Sequence, residues 1–178
     1  IAAELAWVGG AAMFQTASHF NVSTPLMQGL YGLMGIFAVL LTSMTLFQGI
    51  AIWRNPQTGL APSLQLSIAL GLVMTFVLTV IVAGTLSSLN GHLVGTPVTG
   101  ARVPVFGWSR EVGDMRAPHF FATHALHALP VAGLLASALL PARRATQAVW
   151  VAAGLFAAFV MASYAVALAG LPLIPVFG

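Results

Sequence analysis

Long apolar runs separated by short polar segments dominate the hydrophobic pattern of the chain. Four of the runs are long enough to cross a bilayer, because a spanning helix needs about 20 mainly apolar residues. Prolines mark most of their ends, and proline fits the first turn of a helix but cannot continue one. The predicted spanning helices are residues 25–53, 63–89, 118–140 and 146–171.

The first apolar run, residues 1–14, is too short to span a bilayer alone. We interpret it as the end of a helix, and because the chain opens inside this run we expect further residues upstream. The pattern therefore predicts an all-α, polytopic transmembrane helix bundle with four full spans and a partial N-terminal helix. We expect a single transmembrane domain over residues 1–178, with no sheet beyond loop fragments.

One connection, residues 90–117, is longer than the others and contains glycines, prolines and two of the three acidic residues. Loops of this length are usually functional or disordered. Because Val105, Phe106 and Trp108 are suited to the headgroup region, we expect an ordered loop that lies at the membrane interface.

Composition supports a membrane location and excludes several classes of protein. The chain is 59% hydrophobic and 5% charged, whereas soluble domains carry about 25% charged residues. The lipid bilayer is therefore the expected partner. The net charge of +3 reflects a scarcity of acids, which gives no support to nucleic-acid binding. Because the chain has no cysteine, disulfides, iron–sulfur clusters, thiolate zinc sites and covalently attached haem are excluded.

The arginines predict the orientation of the bundle. Three lie in the two short loops that follow the first and third spans, and three lie in the long loop. The arginines of the long loop are accompanied by Glu111 and Asp114, so the positive-inside tendency favours short loops in the cytoplasm. The long loop is then expected to face outward.

Charge and histidine concentrate at the end of the long loop. Four charged residues lie within positions 110–116, directly before three of the five histidines. Strict alternation of the spans places all five histidines on this same side. We expect Asp114 and Arg116 to contact groups within the chain, because unpaired charges beside an apolar bundle are costly. His119 is expected to brace the loop through Asp114.

His124 and His127 lie inside the third predicted span. At about 100° per residue they are about 60° apart and share one helix face. Glu4 lies at a similar depth in the first run. Ionisable groups inside spans are rare and mark functional sites, but a neutral histidine bonded to a carbonyl is also common in helix bundles. Both interpretations stay open.

The functional interpretation is a polar site near the outer face that binds a metal ion or haem b. His19, His119 and His124 are candidate cofactor-binding residues facing one cavity, and His124, the deeper residue, is the expected ligand. The predicted metal ligands are His19, His124 and Asp114, because imidazole and carboxylate groups suit zinc, iron and copper. A haem held by two histidines would need a loop histidine to fold inward, since one helix alone carries histidines in its span.

Two other functions fit the same residues. A transporter or proton-coupled carrier would use Glu4 with His124 or His127 as a proton relay. A non-catalytic accessory subunit would present the histidines to other membrane subunits, and a homo-oligomer would supply further helices. No nucleophile or general base stands out, so the sequence leaves open whether the protein is an enzyme.

Two blocks of the sequence resemble a known group of proteins. They are SHFNVSTP at residues 18–25 and GWSREVGDMRAPHFFATHALHALP at residues 107–130. They resemble blocks of a group of uncharacterised bacterial polytopic membrane proteins, which implies helices upstream and no assigned activity. From the resemblance we expect an integral protein of the bacterial inner (cytoplasmic) membrane. The matching positions are Ser18, His19, Asn21, Trp108, Gly113, Asp114, Arg116, His119 and His124.

The chain departs from the pattern of this group at two places. His127 stands where glutamine is common, which weakens any mechanism that requires His127. An Arg-Gly pair that precedes the first block in the group is absent here, as the residues MFQTASHFN show.

Overall fold

The computed structural model describes residues 2–16, 23–89 and 91–175 of the chain. These residues form six helices and one two-stranded sheet. The helices are α1 (Ala2–Met13), α2 (Pro25–Arg54), α3 (Pro62–Ser88), α4 (Arg116–Thr123), α5 (Ala125–Leu139) and α6 (Ala142–Leu168). The strands are β1 (Leu93–Val94) and β2 (Gly113–Asp114). The predicted all-α bundle, with sheet confined to loop fragments, is confirmed.

Three helices are long and apolar enough to cross a membrane, as expected of an integral membrane protein. α2 has 30 residues, and α3 and α6 have 27 each. Prolines begin α2 and α3, and Thr24 caps α2 by accepting a 3.2 Å hydrogen bond from Met27 N. α6 begins directly after Pro141. The ends of α2 and α3 thus agree closely with the predicted ones, whereas α6 begins at Ala142 rather than at 146 and ends at Leu168 rather than at 171.

The predicted helix over residues 118–140 is not continuous. It is divided at His124 into α4 and α5, which meet at a bend of 47° and together are apolar enough for one span. The cause is competition for the carbonyl of Phe120, which accepts from His124 N at 3.2 Å, Thr123 Oγ1 at 2.9 Å and His124 Nδ1 at 2.6 Å. Polar side chains that bond to the backbone in this way bend or interrupt helices. The described residues thus contain four candidate spans when the bent pair is taken as one.

α3 lies at the centre of the bundle and contacts α2, α4, α5 and α6. A Cβ added at Gly71 would lie 3.0 Å from Ala125 O of α5, and one at Gly133 would collide with Ser67 of α3. Small residues at helix crossings are typical of membrane bundles, where close packing drives association. Because Ala125 directly follows His124, the contact with Gly71 holds the bend against α3.

α2 is far less enclosed than α3. A Cβ added at Gly29, Gly32 or Gly35 would meet no described atom within 4 Å, whereas one at Gly49 would lie 2.9 Å from Ala69 O of α3. α2 therefore joins the bundle through α3 and leaves most of its surface exposed.

From residue 91 onward, the long loop packs on α6 through its short sheet. β1 pairs antiparallel with β2, with Leu93 opposite Asp114. Gly113 in β2 approaches α6 so closely that an added Cβ would collide with Ala167 O. The loop is thus fastened to the bundle, and its predicted position at the membrane interface stays a prediction.

Residues 102–109 form a second hairpin within the loop, the 102–109 hairpin. A backbone bridge joins Arg102 to Ser109. The turn contains Val105, whose φ of +70° is unusual for a β-branched residue. Trp108 is buried at 7% exposure and anchors the hairpin against the bundle.

Candidate functional site

Asp114 is the buried acid of the loop, and four hydrogen bonds occupy its carboxylate. The residue is 4% exposed. Oδ2 accepts from Ser109 N at 2.9 Å and Arg116 Nη2 at 2.6 Å, and Oδ1 accepts from Arg116 N at 3.1 Å and Nε at 3.0 Å. Burial alone would raise the pKa of Asp114, but the hydrogen bonds from Arg116 and Ser109 outweigh it and lower that pKa. Asp114 is therefore held as a carboxylate.

These bonds confirm the expectation that Asp114 and Arg116 contact groups within the chain. Arg116 Nη2 also donates to Gly107 O at 2.7 Å, so the ion pair ties the 102–109 hairpin to the start of α4. The geometry does not support the predicted role of Asp114 as a metal ligand, because a carboxylate offers about four lone-pair positions and all are used.

Glu111 holds a second part of the loop. Its carboxylate accepts from Val98 N at 2.5 Å, from Ala101 N at 2.8 Å and from both the backbone N–H and the hydroxyl of Thr99. The hydroxyl of Thr99, followed by the backbone donors, lowers the pKa of Glu111 from 4.5 to about 2. Glu111 thus closes the turn over residues 98–101 and has no evident part in a site.

Aromatic side chains connect the 102–109 hairpin to α4. The ring of Trp108 stacks on Phe106 at 4.5 Å between centroids and meets Phe120 and Phe121 edge-on at 5.5 and 5.7 Å. Phe120 in turn stacks on His124 at 3.9 Å. Trp108 therefore has a packing role, and the cluster leads from the loop to the bend.

His119 does not make the contact predicted for it. Its backbone N–H donates to Met115 O at 3.3 Å, and its carbonyl accepts from Thr123 Oγ1 at 3.2 Å. Its half-buried ring has no hydrogen bond or ion pair to the described part of the chain. The predicted brace through Asp114 is absent, because Ser109 and Arg116 bind that carboxylate instead.

His124 lies at the bend between α4 and α5. Its Nδ1 donates a 2.6 Å hydrogen bond to Phe120 O. Because a carbonyl oxygen only accepts, Nδ1 carries the proton in this contact, and the lone pair of the imidazole is then on Nε2. Of the predicted ligands with a described side chain, His124 therefore has the chemistry that a metal requires.

His127 lies one turn further along, on α5. Its ring centroid is 5.4 Å from that of His124, and the side chain is exposed on the surface of the described chain. The pair is close enough to act on one ligand, and its position near the surface would let a neighbouring segment or subunit complete the site.

Among the described residues, the two clefts near the long loop do not bring the predicted site residues together. One small cleft is lined by Trp108, Ser109 and Asp114, and another by His92 and Arg116; His119 and His124 line neither. Within residues 2–16, 23–89 and 91–175, no group of three or more His, Asp or Glu side chains is arranged to hold a metal ion.

Two predicted residues cannot be compared with the structure. His19 lies outside the described residues, so its role as a cofactor or metal ligand stays a prediction. Glu4 belongs to α1, but its side chain is outside the described part, so its role in a proton relay also stays a prediction.

Sequence reasoning missed several residues that build this region. Ser109 and Gly107 provide backbone partners for Asp114 and Arg116, and Thr99 binds Glu111. No pattern in the sequence indicates the register of the hairpin that brings them together. The Asp114–Arg116 pair was accessible to prediction because two opposite charges stand two residues apart beside an apolar helix.

The chain matches no family model, no curated protein and no solved structure in comparisons with known proteins. Its resemblance to bacterial polytopic membrane proteins therefore stays a prediction, and a function has to be argued from the geometry of the site.

Proposed function

We propose that the chain is an integral protein of the bacterial inner membrane that binds a transition-metal ion or haem b through His124. The observation that carries this proposal is the 2.6 Å hydrogen bond from His124 Nδ1 to Phe120 O. Metal-ligating histidines almost always donate their other ring N–H to a carbonyl or carboxylate, which orients the ring and makes the ligating nitrogen more basic. His124 has this arrangement.

His127 supports the proposal as a second nitrogen. A metal-bound imidazole has its nitrogen about 2.1 Å from the ion, so two rings on one ion lie at a separation similar to the 5.4 Å between His124 and His127. The resemblance to a group with glutamine at this position argues against an absolute requirement for His127. His124 is therefore the central ligand and His127 an auxiliary one.

A complete site needs more ligands than these two histidines. His19 is the predicted further ligand. A second copy of the chain or another membrane subunit is an alternative source, which fits the exposed position of His127. For haem b, His124 would be one axial ligand and the second would come from the same sources.

The test measures cofactor binding by matched histidine variants. Purified protein is freed of metal and supplied separately with Zn²⁺, Cu²⁺, Fe²⁺ and haem b. Bound metal is measured by elemental analysis and haem by its Soret absorption. His124→Ala should lose the cofactor. His119→Ala is the matched control and should keep it, because the His119 ring makes no hydrogen bond or ion pair to the described residues. His127→Gln should weaken binding without abolishing it.

The outcomes decide between specific alternatives. Retention of the cofactor by His124→Ala, with loss from His119→Ala, would show that the assignment is reversed. If His19→Ala loses the cofactor as His124→Ala does, His19 of the same chain is the further ligand. If wild-type protein binds none of the four, the metal and haem proposal fails.

A proton-coupled carrier is the second candidate, and the bend favours it. Discontinuous helices form the binding sites of many transporters, where the interrupted backbone and its side chains contact the substrate or ion. A histidine at such a break is suited to proton transfer. Acidification measured in proteoliposomes would support this function if His124→Ala abolishes proton flux while His119→Ala preserves it.

A further inference from the structure

A small cleft in the long loop has the lining of an anion site. Its wall combines His92, Arg102 and Arg116 with two glycines of the neighbouring turns, Gly100 and Gly107. The volume of about 20 Å³ accommodates one or two oxygen atoms, since a single water needs about 10–15 Å³. Gly100 and Arg102 are exposed at the rim, so the cleft opens to the surface.

The acids beside the cleft are already occupied. Asp114 accepts four hydrogen bonds, and Glu111 is bound to the turn over residues 98–101. By contrast, the Arg102 side chain has no hydrogen bond or ion pair to the described residues, and neither does Nη1 of Arg116. The Arg116 side chain is 37% exposed although Asp114 fixes its other edge. The cleft therefore offers the unpaired guanidinium of Arg102 and the free edge of Arg116, which Asp114 holds in place.

His92 contributes a ring nitrogen without adding a charge at neutral pH. Burial lowers the pKa of His92, and the charges of Arg116 and Arg102 lower it further. Asp114 raises the pKa, but its effect is smaller than that of Arg116. The two arginines thus outweigh Asp114 in their effect on this ring, which indicates a positive potential at the cleft.

The 102–109 hairpin, whose Arg102 and Gly107 line the cleft, also carries exposed apolar side chains at its turn. Val105 is 100% exposed, and Phe106 is 48% exposed although it stacks on Trp108. A cationic group next to an exposed apolar tip matches the amphipathic chemistry of a phospholipid, whose phosphate and acyl chains are adjacent.

We propose that this cleft binds the phosphate of an anionic phospholipid through Arg102 and the free edge of Arg116, with the acyl region beside Val105 and Phe106. Inorganic phosphate shares the headgroup chemistry but lacks the apolar part. A bound phospholipid and bound inorganic phosphate can therefore be distinguished experimentally, because only the binding of the phospholipid should depend on Val105 and Phe106. This inference is independent of metal binding at His124.

The test uses delipidated protein in detergent and measures bound ligand by native mass spectrometry. Phosphatidylglycerol, phosphatidylcholine and inorganic phosphate are supplied separately, and phosphatidylglycerol should bind best. Arg102→Gln should lower the affinity for phosphatidylglycerol about five-fold, the factor expected for one basic side chain beside anionic lipid. The matched control Arg54→Gln removes an exposed arginine at the far end of α2 and should leave the affinity unchanged.

Two further variants keep the proposal falsifiable. Val105→Asn should weaken phosphatidylglycerol binding without changing phosphate binding, because it makes the apolar tip polar without adding a charge. Arg102→Lys should restore binding relative to Arg102→Gln, even if the glutamine variant melts at a lower temperature. Equal binding by Arg102→Gln and Arg54→Gln, or failure of Arg102→Lys to restore binding, would overturn the proposal. Phosphate binding without lipid binding would overturn the lipid assignment.

Discussion

The long loop and the α4–α5 bend use their polar groups in opposite ways. In the loop, Asp114 accepts four hydrogen bonds and Glu111 is bound by the backbone of residues 98–101. At the bend, His124 uses one ring nitrogen, and the ring of His127 makes no hydrogen bond to the described chain. The densest charge in the sequence therefore builds the scaffold. The histidines beside it retain free nitrogen, which is why the proposed function lies there.

Asp114→Asn is the change expected to have the largest effect on folding. Asparagine removes the charge opposite Arg116 and replaces an accepting oxygen with an N–H₂ group that cannot accept from Ser109 N or Arg116. The free energy of unfolding should fall by about 1.5–3 kcal/mol, the value of a hydrogen bond to a charged group. Thermal unfolding in detergent measures this loss. An unchanged melting temperature would mean that the loop is held by its packing alone.

Gly113→Ala tests the attachment of the loop to α6. Its Cβ would collide with Ala167 O, so β2 or the end of α6 must move. Overpacking of this kind costs about 1–3 kcal/mol, and calorimetry of the purified protein should show it. Gly29→Ala is the control and should be neutral or stabilising, because no described atom lies within 4 Å of the added Cβ. Equal effects of the two variants would contradict the close contact.

His124→Ala should affect folding less than either loop variant. It removes the side-chain hydrogen bond to Phe120 O, which contributes about 0.5–1.5 kcal/mol, together with the stacking of the half-buried ring on Phe120. The larger effect should appear in cofactor binding, as proposed above. A chemical unfolding curve measured without any cofactor gives the effect on folding separately from the effect on cofactor binding. Destabilisation as large as that of Asp114→Asn would remove the distinction between scaffold and site.

Acid sensitivity should be the smallest effect and should come from the loop. The pKa of Glu111 is about 2 in the folded protein, below its ordinary value of 4.5. Its stabilising contribution is therefore complete above about pH 4.5 and is lost as the pH falls towards 2. Melting temperatures measured across this interval should decline less steeply for Glu111→Gln than for wild type. Parallel curves would show that Glu111 does not bind the turn in solution.

The sequence predicts the spanning helices well because apolar length and proline are properties of the chain itself. It also predicts that Asp114 and Arg116 contact groups within the chain, since unpaired charges beside an apolar bundle are costly, but it names His119 and not Arg116 as the partner of Asp114. It does not predict the break at His124, which depends on three donors converging on the carbonyl of Phe120. The partners Ser109 and Gly107 were equally inaccessible, because the hairpin register is set by contacts distant in sequence.

The carbonyl of Phe120 is also a natural spectroscopic reporter. An oxygen with two lone pairs that accepts from His124 N, His124 Nδ1 and Thr123 Oγ1 has a more polarised C=O bond than its neighbours in α4. Its stretching frequency is therefore lowered and responds to each donor. A metal ion bound at His124 Nε2 would make Nδ1–H more acidic and would polarise this bond further. A ¹³C label in the phenylalanine carbonyls would thus let infrared spectroscopy follow the chemistry of the histidine through the backbone.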